Sequence, residues 1–79
     1  MKIRVDIMLK EGVLDPQGKA INHALDNFGF KDVKDVRAGK TIEIDMGETD
    51  RAKAVGIGVD MAKKLLANQV IEDFKVSVV

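Results

Sequence analysis

The 79 residues include 13 basic and 13 acidic side chains, one histidine and no cysteine, with 46% hydrophobic residues. The charges cancel, so no net field draws the chain to nucleic acid or membrane, and the missing cysteines exclude a disulfide framework, a thiolate zinc site and a redox motif. A chain of this length hides only ~60–65% of the surface it exposes when unfolded, which leaves self-association as the remaining device for completing a marginal core.

Residues 2–10 alternate strictly, with Ile3, Val5, Ile7 and Leu9 on one face and Lys2, Arg4, Asp6, Met8 and Lys10 on the other. That pattern predicts a strand with one buried side. The same alternation leaves no continuous apolar run, so the start of the chain reads as neither a signal peptide nor a membrane span. A cytoplasmic location is expected. Gly12 ends the strand, and Asp15-Pro16 provides an N-cap followed by proline at the first helical position. From residue 16 to 28, Ala20, Ile21, Ala24, Leu25 and Phe28 form one helical stripe, expected to face the core, before Gly29 supplies a left-handed stop.

Residues 33–38 read as a second strand, although Val33 and Val36 stand three apart and need a bulge or a late start to share a face. Ala38-Gly39-Lys40 reads as a hairpin turn, and residues 41–46 alternate again with Ile42, Ile44 and Met46 inward. Thr49 or Asp50 caps a second helix that ends at Ala67-Asn68, with the stripe Val55, Gly58, Val59, Ala62, Leu65 and Leu66. Each of Gly56 and Gly58 should cost about 1 kcal/mol against alanine there. Close approach of another backbone accounts for Gly58 on the stripe; Gly56 has no such reason. Phe74, Val76 and Val78 alternate through a last strand.

The order strand, helix, strand, strand, helix, strand over one domain, residues 1–79, predicts an α+β, ferredoxin-like fold. Two helices would pack on one face of a four-stranded antiparallel sheet. The first strand then lies between the third and the fourth, and Lys2, Arg4 and Lys10 face Glu43 and Asp45 across the sheet.

Candidate chemistry is sparse. Gly56-Ile57-Gly58-Val59-Asp60-Met61 fails as a dinucleotide loop because position 61 is methionine and the stretch sits inside a helix. His23 is nearly opposite Ile21 and Leu25 on its helix, with Lys19 and Asn27 as neighbours, so it reads as a surface histidine without a catalytic partner. Glu72 and Asp73, adjacent at a strand entrance, point to opposite faces and cannot converge on one ion. Asp15 already occupies the positive end of the first helix, so an added anion would meet like charge. Arg37, Gly39 and Lys40 could hold a phosphate or a partner's carboxylate, or be merely solvated. Ala54, Ile57 and Met61 fall beside the core stripe of the second helix, and Met8 and Val79 interrupt the charged outer face of the sheet; Met8, Ile57 and Met61 are candidates for self-association. The open sheet face carries charges and no aromatic ring, which argues against an RNA-binding module. A small ferredoxin-like ligand-sensing dimer is the alternative to an assembly role.

Several motifs in this order have a known counterpart: Leu9-Lys10 with Gly12-Val13-Leu14-Asp15-Pro16-Gln17-Gly18, then Ala20-Ile21 and Ala24-Leu25. Val36-Arg37 with Gly39-Lys40 and the run from 64 to 73 complete the set. From end to end the chain resembles the PurS family, the small subunit of the multi-subunit phosphoribosylformylglycinamidine synthase of purine biosynthesis. Gln69 departs from the pattern, since that family commonly has proline after Leu-Leu-Ala-Asn.

The resemblance implies a complex that uses ATP and glutamine to convert formylglycinamide ribonucleotide to formylglycinamidine ribonucleotide. A large PurL-type subunit would carry ATP and magnesium, and a PurQ-type glutaminase would release ammonia. This chain, as a dimer or tetramer, would help join them, with no catalytic residue, cofactor or metal of its own. Asp15, Gly18, Arg37, Gly39, Lys40, Asn68, Glu72 and Asp73, in the exposed joints, are the expected partner contacts.

Overall fold

The computed structural model describes residues 1–79. Its elements follow in the order β1 (Lys2–Leu9), α1 (Pro16–Asn27), β2 (Gly39–Asp45), α2 (Arg51–Met61), one π turn (Ala62–Leu66) and β3 (Glu72–Val78). β1 is the centre of an antiparallel sheet, with β2 on one side and β3 on the other. The alternation in β1 decides the core: Ile3, Val5 and Ile7 are essentially inaccessible. Burying side chains of this size stabilises by about 1.5–3 kcal/mol each. Ile42, Ile44, Phe74, Val76 and Val78 flank them from the neighbouring strands.

The opposite face carries the charges, in the register expected for Lys2 and Arg4, whereas Lys10 lies beyond β1 and pairs with Asp73 instead of Glu43 or Asp45. Lys2 pairs with Asp45 and Arg4 with Glu43. The ion pairs themselves run diagonally or along the strand, Lys2 Nζ to Glu43 at 3.7 Å and Arg4 Nε to Asp6 at 3.4 Å. All four side chains are substantially exposed, so these contacts contribute little.

α2 starts at Asp50, whose carboxylate accepts from the Lys53 amide at 3.1 Å. Ala54, Gly58 and Ala62 face the sheet and are buried. Ala54, expected beside the stripe, is thus at its centre. A Cβ on Gly58 would lie 2.5 Å from Ile3 Cδ1 and 2.9 Å from Val76 Cγ1, so the glycine lets the helix approach the sheet. Beside Gly56 the space is open. The π turn, closed by Ala67 N–H to the Ala62 carbonyl at 2.9 Å, inserts one residue into the helical period. Leu65, expected inward, therefore points out at 84% exposed, while Leu66 and Ala67 turn toward the core.

Two expectations fail. The sheet has three strands, not four: residues 33–38 join no ladder. Their backbone bonds go elsewhere, with the Val36 amide donating to Asp35 Oδ1 at 3.0 Å and the Ala38 amide to Asp15 Oδ2 at 2.8 Å. Ala38-Gly39-Lys40 is accordingly no hairpin turn, because Gly39 and Lys40 already lie in β2 opposite Met8 and Ile7. Secondly, α1 does not pack on the sheet. Gly18 is its one buried residue, and Ile21 and Phe28 on its apolar stripe are 39% and 80% exposed. The molecule measures 47 × 24 × 14 Å. Its radius of gyration is 15.8 Å, where a compact chain of this length has about 12 Å. The two-layer sandwich is half built: α2 covers the sheet, and α1 continues outward as an arm.

Candidate functional site

Three sequence-distant joints meet at one end of the sheet. β1 leaves there through Leu9 and Lys10, β2 enters at Gly39, and β3 enters at Glu72. Ladder pairing puts Met8 between Gly39 on one side and Asp73 on the other. Of the residues singled out from sequence, Asp15, Gly18, Arg37, Gly39, Lys40, Glu72 and Asp73 are thereby gathered, with Asn68 joined through Glu72.

Asp15 holds the centre. It is only 9% exposed. One carboxylate oxygen accepts from the Gly18 amide and the other from the Ala38 amide, both at 2.8 Å. These bonds, Gly18 first and then Ala38, hold its carboxyl below the usual carboxylate range, against the opposing effect of burial; the nearby Arg37 charge adds to the lowering. One guanidinium nitrogen of Arg37 is committed to the backbone. It donates to the carbonyls of Leu9 and of Lys10, the latter at 3.0 Å. Gly18 is equally committed, since a Cβ there would collide with the Val36 carbonyl oxygen. Gly39 lies beneath Met8, whose sulfur occupies the space that a Cβ would need.

Glu72 and Asp73 diverge as their adjacency requires. Lys10 Nζ reaches Asp73 at 2.9 Å, and Lys40 Nζ stands 4.0 Å from Glu72. Glu72 also accepts from the Asn68 amide at 2.7 Å, while the Asn68 side chain accepts from the Val70 amide at 3.0 Å. Gln69 donates through Nε2 to the Lys63 carbonyl at 3.2 Å. Side-chain bonds thus brace the turn in which proline was expected. Between Pro16, Lys40 and Glu72 lies a shallow cleft of about 370 Å³. A second, of about 410 Å³, separates residues 11–15 from Asp35, Val36 and Arg37.

The carboxylates of this cluster are engaged by backbone amides and lysines, and one guanidinium nitrogen by backbone carbonyls. His23 lies exposed on α1 beside Lys19, Asn22 and Asp26. The three apolar candidates do not form one patch. Met8 is on the charged face of the sheet at 41% exposed, whereas Ile57, 39% exposed, and Met61 lie on α2 across the sheet. Larger apolar surface stands where the sequence expected core or loop: Leu14, Phe28, Phe30, Leu65 and Val70 are 60–84% exposed. Phe28-Gly29-Phe30 was the available signal, two rings bracketing a helix stop.

Comparison with known proteins adds what geometry lacks. The family model described as PurS, phosphoribosylformylglycinamidine (FGAM) synthase, matches residues 2–79. Phosphoribosylformylglycinamidine synthase subunit PurS of Bacillus subtilis is 47% identical over 77 residues, covering 98% of this chain and 90% of that protein. Among solved structures, Methanocaldococcus jannaschii PurS, one of the subunits of formylglycinamide ribonucleotide amidotransferase in the purine biosynthetic pathway, superposes with a TM-score of 0.87. It is 45% identical, over 96% of this chain and 92% of that one. A chain of the PurLQS structure from Thermotoga maritima superposes with a TM-score of 0.85 at 30% identity, over 96% and 93% of the two chains. The chain belongs to the PurS family, subunits of the phosphoribosylformylglycinamidine synthase of purine biosynthesis.

Proposed function

We propose that this chain is a non-catalytic assembly subunit. It would join a PurL-type synthase subunit, which carries ATP and magnesium, to a PurQ-type glutaminase, so that ammonia passes between them in the cytoplasm. One PurS-type domain spanning residues 1–79 does this by offering surface. The observation that carries the reading is the uncovered arm, whose stripe of Ile21 and Phe28 stands in solvent beside Phe30.

The surface area agrees. The chain exposes 5706 Å². A compact monomer of 8.7 kDa exposes about 4,700 Å², so about 1,000 Å² is in excess, close to the roughly 800 Å² that each partner contributes to a standard interface. A second copy of the chain is the proposed cover, completing the sandwich that α1 leaves open and giving a dimer or tetramer. Ile57 and Met61 extend that surface along α2, and Met8 marks a further contact on the opposite face. Lys40, Asn68, Asp73 and the rest of the Asp15 cluster, at the far end of the sheet from Met1, are the proposed contacts with the large subunit and the glutaminase.

Reconstitution tests this. Glutamine-dependent amidine synthesis by the large subunit and the glutaminase of the same organism should require the chain, and the chain alone should turn over nothing. Equal synthesis without it overturns the proposal.

A further inference from the structure

We propose that Asp15 is a lock that sets the angle at which the α1 arm leaves the sheet, and thereby the pose in which an arm meets its partner. The inference rests on the assembly reading above but is decided by a separate measurement.

The arm is tied down at one place only. Beyond Gly18 no residue of α1 is buried, so packing cannot orient it. What remains is the joint. Asp15 accepts from Gly18, at the start of the arm, and from Ala38, where the chain returns to the sheet. The close fit of Gly18 against the Val36 carbonyl lets the two segments touch. Arg37, between Val36 and Ala38, is fastened to the carbonyls of Leu9 and Lys10 at the end of β1. One carboxylate thus couples the arm's two ends, and one guanidinium couples that pair to the sheet. Hydrogen bonds to an ionised group are the strong ones, and they are directional where apolar contact is not.

Helix capping alone does not explain the arrangement. A cap needs one acceptor, and the Asp15 oxygen that accepts from the Gly18 amide fills that role; the bond to Ala38, 23 positions away, contributes nothing to helix initiation. Asn is as good a cap as Asp, yet its amide nitrogen cannot accept from Ala38. Asp15→Asn therefore separates the two roles.

The test is amide exchange and spin-label distance on the full chain. With no native cysteine, labels at Asn27→Cys and Glu43→Cys report the arm against the sheet, diluted with unlabelled chain so that only intrachain distances count. In Asp15→Asn, helicity and Gly18 amide protection should persist. The Ala38 amide should exchange about tenfold faster or more, as expected for loss of a charged hydrogen-bond acceptor, and the distance distribution should broaden. Unchanged Ala38 exchange with an unchanged distribution overturns the proposal. If the Ile3, Val5 and Ile7 amides lose protection as well, Gly18→Ala opens the same joint with Asp15 intact. If that variant too unfolds the sheet, the joint is part of the core and the lock is refuted. A wild-type chain that is monomeric by native mass defeats the assembly reading and leaves these readouts standing.

Discussion

Two glycines in one helix should respond oppositely to the same substitution. Gly56 and Gly58 both sit inside α2 and both gain about 0.8–1 kcal/mol in helix propensity when replaced by alanine. At Gly56 nothing lies within 4 Å of the added methyl, so the whole gain is realised. At Gly58 the methyl meets Ile3 Cδ1 at 2.5 Å and Val76 Cγ1 at 2.9 Å. Ile3 is fully buried, and Val76 is β-branched and stiff about χ1, so neither swings aside. Overpacking of this kind costs about 1–3 kcal/mol. Subtracting the propensity gain puts Gly58→Ala at about 1–2 kcal/mol less stable than the parent, since the contacts are tight enough to draw on the upper part of that range. The two alanines should differ by about 2–3 kcal/mol. Urea unfolding followed by circular dichroism, at one fixed chain concentration because association shifts the midpoint, reads this directly. A Gly58→Ala chain as stable as Gly56→Ala would refute close helix–sheet approach as the reason for that glycine.

Acid should release the Asp15 joint. Its folded pKa is depressed by the Gly18 and Ala38 amides, so its contribution is fully present above the unfolded value near 3.9 and is lost as pH falls through the lower folded value. The Gly18 and Ala38 amide resonances should titrate together with a midpoint below 3.9, and a midpoint at or above it contradicts the hydrogen-bond geometry. Charges placed on the apolar surface should dissociate the assembly: Ile21→Glu and Phe28→Glu on the arm, and Ile57→Glu on α2, should each lower the native mass in sedimentation. Each side chain is at least 39% exposed, so secondary structure should survive; unchanged mass in all three removes the second copy from the proposal.

Local chemistry sufficed for much of this protein. Alternation placed Ile3, Val5 and Ile7 inside, because side chains on a strand must alternate faces whatever the rest of the chain does. Asp15-Pro16 marked one helix start and Thr49 or Asp50 the other, the structure selecting Asp50, because capping is settled within four residues. The order of the strands around β1 followed from short connections and crossover geometry. The family was legible in motifs that run the whole length.

Only the tertiary structure decided which surfaces meet. An apolar stripe states that a helix wants cover, not that its own sheet provides it, and α1 finds none within the chain. Residues 33–38 have strand-like composition, but long-range bonds from the Ala38 amide to Asp15 and from Arg37 to Leu9 and Lys10 take the place of a ladder. Adjacency alone shows that Glu72 and Asp73 diverge, but not that Glu72 accepts from the Asn68 amide and stands beside Lys40. One added residue in the π turn took Leu65 off the inward face, kept Leu66 there and brought Ala67 in. Each of these depends on contacts between segments far apart in sequence, and their energies are absent from any single window of it.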